Sequence, residues 1–247
     1  MFEIVFDGAK DFADLMASIG SFVEEAAFRI DEEAMTFRAM DPSRVVMIDL
    51  ELPAFVFSKY DVRNSETIGL NMKKFLKVLK LAKSRDMLIL RKSSNSSLEV
   101  ILHGEEVLKF KLPLIDVEEF DVEMPELPFT VEAVLLGVGF KRAIKAATLV
   151  SDSVKFIGTQ GKLILKAVGD DTEVETVLTL EDEVLLDLTI EKDAKTAYGI
   201  NYLEDIAKKL SDGQELSLKF GKDIPLLLKY SVRDEGSITF LIAPRVE

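Results

Sequence analysis

Residues 34 to 52, AMTFRAMDPSRVVMIDLEL, alternate apolar and polar side chains on both sides of a turn signal at Asp41-Pro42. Alternation with a period of two is typical of strands that bury one face, and a turn between two such runs indicates antiparallel pairing. A similar pattern returns at residues 162 to 180, KLILKAVGDDTEVETVLTL, which align with the first stretch without a gap. The two stretches therefore predict antiparallel sheet at two places in the chain.

Other parts of the chain repeat at nearly the same shift of 128 positions. Phe12 aligns with Phe140 and Phe28 with Phe156, and Gly69 aligns with Gly199 at a shift of 130. Several matches in one order favour a duplicated domain, although two unrelated α+β stretches would share some generic spacing. Between the repeats, residues 115–128 hold six acidic side chains around a proline. The predicted organisation is a domain at 1–114, a linker at 115–128 and a second domain at 129–247.

Four stretches have the period of a helix instead of a strand, two in each repeat. They are Ala9 to Phe22, Met72 to Lys83, Val138 to Val150 and Asn201 to Leu210. Two helices packed on antiparallel sheets in each of two similar domains give an α+β fold class.

Positive charge is concentrated on helices of an acidic chain. The net charge of the 247 residues is −13, which by itself argues against a nucleic-acid ligand. The second predicted helix nevertheless has five lysines and no acidic residue, and the third has three basic residues and no acidic one. A single lysine-rich helix is most simply a solvated surface. Two such helices favour a surface that attracts phosphates without reading base sequence.

The composition excludes several classes of active site. There is no cysteine and a single histidine, His103, so disulfides, thiolate chemistry and sites with two histidines are excluded. The longest apolar run, Ala133 to Phe140, has eight residues, and the N-terminus lacks the basic and apolar pattern of a secretory signal. We therefore expect a cytoplasmic protein with no cofactor, no metal, no membrane partner and no catalytic residues.

Four motifs, distributed over the whole chain, carry a resemblance to a known family. They are Met40-Asp41-Pro42-Ser43-Arg44-Val45, Leu114-Ile115-Asp116-Val117-Glu118-Glu119, Ser151-Asp152-Ser153 before Val154-Lys155-Phe156, and Leu241-Ile242-Ala243-Pro244-Arg245-Val246. In this order they resemble the sliding-clamp family of proliferating cell nuclear antigens, and most closely its archaeal members. The resemblance implies a closed homotrimeric ring, associated with the nucleoid, whose helices surround double-stranded DNA.

The resemblance also gives the basic helix residues a role. DNA would be faced by Lys73, Lys77, Lys80, Lys141, Arg142, Lys145, Lys208 and Lys209. The first helix departs from the family pattern, because it carries Asp11 and Asp14 beside its only lysine, Lys10. We expect that helix to contribute less to DNA binding.

A second implication is a docking pocket between the linker and the C-terminus. DNA polymerase, clamp loader, flap endonuclease and DNA ligase would insert a short peptide with an aromatic pair and an aliphatic anchor there. The matching positions are Met40, Val45, Met47, Phe120, Val122, Pro225, Ala243 and Pro244. Phe120 and Val122 are apolar in an acidic segment, so we expect them to be buried, either in this pocket or as a seal of the linker on its own domain.

The third implication concerns ring closure. In the family, the last strand of the first domain pairs with a strand of the next subunit, which corresponds here to Val107 to Leu112 against Thr172 to Leu180. Basic and acidic residues would meet at this seam, namely Lys109 and Lys111 with Glu173 and Glu175, and Val177 would lie on the same face as the two glutamates. On the matching helices, Lys83 and Arg85 would face Lys141 and Arg142, and we expect their repulsion to make the ring easier to open. An alternative is a clamp paralogue that forms a hetero-oligomer or sequesters partners; an enzyme is a third hypothesis.

Overall fold

The structure, a computed structural model, describes residues 1–94, 96–120, 122–233 and 235–245. Asp121 of the predicted linker and Val246 of the C-terminal motif lie outside this part. The chain forms two compact units. The first contains residues 1–44, 48–122 and 232–238, and the second contains residues 45–47, 123–231 and 239–247. The division near residue 122 places the first half of the predicted linker, residues 115–122, in the first unit.

The first repeat contains the two helices and the antiparallel strands that the sequence predicts. They are β1 (Phe2–Asp7), α1 (Ala9–Ile19), β2 (Glu25–Ile30), β3 (Ala34–Met40), β4 (Val46–Pro53), a 3-10 turn (Ala54–Val56), β5 (Lys59–Val62), β6 (Glu66–Asn71), α2 (Met72–Leu79), β7 (Met87–Ser94), β8 (Ser97–His103) and β9 (Val107–Pro113). One antiparallel sheet has the strand order β5-β1-β7-β8-β9, and in the other β6, β2, β3 and β4 are neighbours in that order.

The second repeat has the same succession of elements. They are β10 (Val131–Leu136), α3 (Gly137–Thr148), β11 (Ser153–Thr159), β12 (Lys162–Val168), β13 (Glu173–Leu178), β14 (Leu185–Ile190), β15 (Ala194–Gly199), α4 (Ile200–Ala207), β16 (Glu215–Phe220), β17 (Leu226–Val232) and β18 (Gly236–Ile242). One sheet has the order β13-β12-β11-β15, and β14, β10, β16 and β17 are neighbours in the other. The α+β class with two helices per repeat is therefore confirmed.

The duplication is visible in the core. The aligned phenylalanines Phe12 and Phe140 are both fully buried, and so are Phe28 and Phe156. One part of the sequence alignment is wrong. Because β6 and α2 correspond to β15 and α4 at a shift of 128, the residue equivalent to Gly69 is Ala197, not Gly199. The match at a shift of 130 positions is misleading and arises because a glycine, Gly69 or Gly199, lies close to the start of each helix.

Within the described residues, no helix is long and apolar enough to span a bilayer.

Candidate nucleic-acid interface and docking surfaces

Helix α2 separates its apolar and basic side chains cleanly. Met72, Phe75, Val78 and Leu79 are buried. The helix begins after Asn71, whose side chain accepts a hydrogen bond from the backbone N–H of Lys74 at 3.0 Å and so satisfies one of the unpaired donors of the first turn. The opposite surface is basic and exposed.

Three of the predicted DNA-facing residues meet on that exposed surface. Lys73, Lys77 and Lys80 line one open pocket of about 390 Å³. Its other walls include Leu76, Gly20, Val23 and one acidic residue, Glu24. Within the described ranges no carboxylate lies at ion-pair distance from these three ammonium groups, which makes them available to an anion from solution.

Helix α1 contributes little positive charge, as its sequence predicts. Lys10 forms an ion pair with Asp14 one turn later, and Asp11 lies exposed in the first turn. Gly20, just after this helix, lies against α2, because a Cβ atom there would stand 2.4 Å from Leu76 Cδ1. The absence of a side chain at Gly20 therefore lets the two helices of the first unit approach closely.

The basic residues of the second unit are partly neutralised. Lys141 on α3 pairs with Asp212 at 2.7 Å, and Lys208 after α4 pairs with Glu204 at 3.1 Å. Arg142, Lys145 and Lys209 are exposed, and no described carboxylate pairs with them. All eight predicted residues thus lie on or directly after three helices, but they differ in how much charge they can offer.

The linker begins as a strap across the first unit. The backbone N–H of Ile115 donates to the carbonyl of Gly69 on β6 at 3.0 Å. A Cβ atom at residue 69 would stand 2.1 Å from the Ile115 carbonyl oxygen, so this approach requires glycine. Further along, the Thr67 hydroxyl donates to the Glu119 carboxylate, and the Arg38 Nη1 on β3 donates to the carbonyl of Val122 at 3.2 Å. We call residues 115–122 the strap.

Arg38 is held in place by a second hydrogen bond. Its Nε donates to Asp49 Oδ1 on β4 at 2.6 Å. The sequence motifs did not point to Arg38, Asp49, Thr67 or the close approach at Gly69. The sequence did offer a signal for Arg38 and Asp49. Both lie on the polar faces of the two strands that flank the turn at Asp41-Pro42.

Three of the predicted docking residues, Phe120, Val122 and Met40, belong to the first unit. Phe120 is half-buried and lines a pocket of about 310 Å³ with Arg38, Asp49 and other side chains of the first unit. Val122 is 50% exposed, contrary to the expected burial, because only its carbonyl is held. Met40 is half-buried and also belongs to the first unit.

The remaining docking residues belong to the second unit. The Ala243 N–H donates to the Val45 carbonyl at 2.8 Å, so these two residues are neighbours, whereas Met47 is buried. Pro225 is half-buried. Pro244 lines a pocket of about 420 Å³ with Lys155, Lys195 and Asp223.

The C-terminal segment repeats the hydrogen bond that the strap makes. The Arg245 N–H donates to the Ala197 carbonyl at 2.8 Å, as Ile115 does to the equivalent Gly69. The Arg245 guanidinium also pairs with Asp152 at 2.7 Å. The segment after the last strand of each repeat is thus fixed to the strand before the second helix.

Two strands lie at the ends of their sheets, as expected for the seam. β9 ends one sheet of the first unit, and β13 ends the four-stranded sheet of the second unit. Val107, Lys109 and Lys111 are exposed on β9, and Glu173, Glu175 and Val177 are exposed on β13.

Exposed leucines follow two of the helices, Leu81 after α2 and Leu149 after α3, with exposed fractions of 52% and 83%.

Several charges of the predicted seam already have partners within the chain. Lys83 pairs with Glu106 at 3.0 Å, a hydrogen bond that raises the lysine pKa, and Lys141 pairs with Asp212. The repulsion expected between Lys83 and Lys141 is therefore weakened. Lys166 on β12 pairs with Glu173 at 3.0 Å and Glu175 at 3.5 Å, and this raises the pKa of Lys166.

The described residues bring together no group of three side chains of the kinds that ligate metals. His103 is exposed at the end of β8.

Comparison with known proteins agrees with this geometry. A protein from Thermococcus sibiricus called DNA polymerase sliding clamp is 56% identical over 246 residues, which cover 100% of this chain and 99% of the relative. The crystal structure of PCNA from Thermococcus kodakaraensis has a TM-score of 0.97 and 55% identity, with 99% of this chain and 100% of that chain covered.

A second similar structure contains a bound segment of another protein. It is that of the C-terminal region of FEN-1 bound to A. fulgidus PCNA, with a TM-score of 0.91, 25% identity and coverage of 100% of this chain and 99% of that one. The sequence profile of the proliferating cell nuclear antigen N-terminal domain matches residues 1–124, and that of the C-terminal domain matches residues 123–245. The chain therefore belongs to the proliferating cell nuclear antigen family.

Proposed function

We propose that this protein is a DNA sliding clamp, a ring-shaped processivity factor that encircles duplex DNA and tethers the replicative DNA polymerase. The observation that carries the proposal is the unneutralised surface of α2, where Lys73, Lys77 and Lys80 face solvent in a chain with a net charge of −13. Lysine ammonium groups attract phosphates at any base sequence, so the duplex is held without a fixed register.

Weak attraction suits a protein that must slide. Screening at physiological salt limits such interactions to about 8 Å, so retention depends on topology rather than on tight binding. The excess of acidic residues elsewhere repels DNA from other surfaces. We ascribe no catalytic step to the protein, and we assign it to the cytoplasm in association with the nucleoid, where its ligand is.

The clamp also serves as a docking platform for polymerase, clamp loader, flap endonuclease and ligase. Met40, Val45, Phe120, Val122, Pro225, Ala243 and Pro244 would receive the partner peptide, whereas Met47 is buried. The bound FEN-1 region in the similar A. fulgidus structure supports this role.

Reversal of charge on α2 tests the DNA interface. Lys77→Glu combined with Lys80→Glu should leave the trimer intact by light scattering, because exposed substitutions usually change the free energy of unfolding by no more than about 0.5 kcal/mol. Stimulation of a DNA polymerase should fall, and the slope of log affinity against log salt should fall by about 1 for each phosphate that the variant no longer neutralises.

A matched variant controls for total charge. Lys162→Glu combined with Lys192→Glu makes the same change of charge at exposed positions outside the four helices. This variant should stimulate the polymerase as the wild type does. Equal stimulation by the α2 variant at 150 mM salt, about physiological, would contradict the proposed interface.

A further inference from the structure

We propose that Arg38 is the positioning residue that holds the far end of the strap, and that it thereby sets the affinity of the clamp for partner peptides. The second half of this statement rests on the proposed docking function. Arg38 lies on β3, outside the set of residues assigned to the docking pocket, and acts through the strap residues that belong to it.

Three ties of different kinds fix the strap. At its start, a backbone hydrogen bond joins Ile115 to Gly69; four residues later a side-chain hydrogen bond joins Glu119 to Thr67. The far end, at Val122, is held by the Arg38 guanidinium. Among the described residues, the tie at Glu119 lies next to Phe120, and the tie at Arg38 is the one that holds Val122 itself.

The geometry of the guanidinium explains why arginine is suited to this position. One N–H, at Nε, donates to the Asp49 carboxylate at 2.6 Å, and another, at Nη1, donates to the Val122 carbonyl at 3.2 Å. The planar fork fixes the direction of both donors once one of them is bound. Asp49 therefore orients the group, and the remaining donor fixes the strap.

The apolar side chains of the strap are at most half-buried. Ile115, Val117 and Phe120 are half-buried, Val122 is 50% exposed, and the acidic side chains are exposed. A segment whose apolar side chains are only partly buried gains less from the hydrophobic effect to offset its conformational entropy. Its order must therefore depend strongly on the polar ties.

A strap that is already ordered binds a peptide more tightly. When only a fraction of the molecules has the binding-competent conformation, the apparent dissociation constant rises by the inverse of that fraction. Release of the far end lowers this fraction, because the peptide must then order Phe120 and Val122 as it binds. Arg38 thus affects the affinity through the order of the strap.

The test compares Arg38→Gln with Arg29→Gln in the full-length protein. Arg29 lines the same pocket as Phe120 but pairs with Asp31 at 3.4 Å instead of the strap, so it matches Arg38 in chemistry and surroundings. Hydrogen–deuterium exchange of the strap amides in the free protein and calorimetry with a synthetic peptide carrying an aromatic pair and an aliphatic anchor provide two independent measurements.

For Arg38→Gln we expect the strap amides to exchange faster and the peptide to bind about three- to tenfold more weakly, as removal of one solvent-exposed hydrogen bond implies. Arg29→Gln should resemble the wild type in both measurements. Arg38→Lys keeps the charge beside Asp49 but lacks the fork, so it should restore only part of the affinity.

Each outcome decides a separate point. Unchanged strap exchange in Arg38→Gln would overturn the claim that Arg38 holds the strap. Faster exchange with unchanged peptide affinity would overturn the claim that this tie sets the affinity. A peptide that fails to bind the wild type would instead contradict the docking function, while the exchange measurement would still show whether Arg38 holds the strap.

Discussion

At the scale of single residues, the two repeats make the same hydrogen bond in different ways. Gly69 and Ala197 occupy equivalent positions, and the carbonyl of each accepts a hydrogen bond from the segment that follows its repeat. The second repeat accommodates a Cβ atom there, whereas the first does not, because the Ile115 carbonyl lies 2.1 Å from the position of that atom. The linker therefore passes closer to its strand than the C-terminal segment does.

This difference predicts that substitutions at the two positions change the free energy of unfolding by different amounts. Gly69→Ala should lower the free energy of unfolding by about 1–3 kcal/mol, as overpacking does, and should speed amide exchange in the strap. Ala197→Gly should cost only about 0.5–1 kcal/mol, the usual cost of glycine within an element. Chemical denaturation and hydrogen exchange measure both effects, and equal losses in the two variants would show that the close approach is not constraining.

At the scale of elements, a charged cluster joins the two sheets of the first unit. Glu66 on β6 accepts from Lys92 on β7, whose side chain is almost entirely buried, and from the amino group of Met1 at 2.7 Å. Burial opposes ionisation of this carboxyl, but the two cationic donors outweigh it and hold the pKa of Glu66 below its usual value. Lys92 would lose its charged partner if this carboxylate were removed.

Glu66→Gln should therefore destabilise the protein in a pH-dependent manner. Because the folded pKa of Glu66 is lowered, its contribution is fully present above the unfolded pKa of about 4.3 and is lost as the pH falls through the folded value. We expect a destabilisation of about 1–3 kcal/mol at pH 7 that disappears in strong acid.

Urea unfolding of the variant and the wild type across this range provides the measurement. Glu25→Gln, at an exposed position of β2, is the control. A constant difference between Glu66→Gln and the wild type at every pH would mean that the ionised carboxylate is not the source of the effect.

The elements were the most predictable part of the molecule. Alternation over residues 34 to 52 predicted β3 and β4, and the lysine stripe with its opposite apolar arc predicted both the position of α2 and its exposed face. Pairs such as Arg38 with Asp49 or Lys166 with Glu175 could not be predicted in the same way, because they depend on the register between strands and on side-chain direction. Met47 illustrates the limit: its residue type suits a pocket or a core, and only the packing places it in the core.

At the scale of the whole molecule, we predict that assembly depends on two sheet ends of opposite charge. Lys109 lies across from Ile101 on β8, whereas Lys111 lies across from Glu99, so Lys109 has the less neutralised position. On β13, Glu175 lies across from Lys166. Exposed ion pairs contribute at most about 1 kcal/mol each, so backbone hydrogen bonds and exposed apolar residues such as Leu149 and Val177 must provide most of the stability of the seam.

Glu175→Lys should shift the trimer toward monomer at sub-micromolar concentration, and Lys109→Glu should restore the trimer when both changes are combined. The new lysine would also face Lys166 within its own sheet, so rescue by the second substitution is the decisive result. Light scattering measures the shift, and Glu191→Lys controls for charge at an exposed site outside β13. A Glu175→Lys protein that remains trimeric would show that the strand charges do not govern assembly.

The segregation of charge between β9 and β13 also disfavours incorrect pairing between subunits. Two β9 strands would bring lysines together, and two β13 strands would bring glutamates together, so like edges repel while unlike edges attract. A two-fold symmetric dimer through matching edges is thus disfavoured. A ring that opens would retain one basic end and one acidic end, and their attraction would favour resealing in the original register over pairing of like edges.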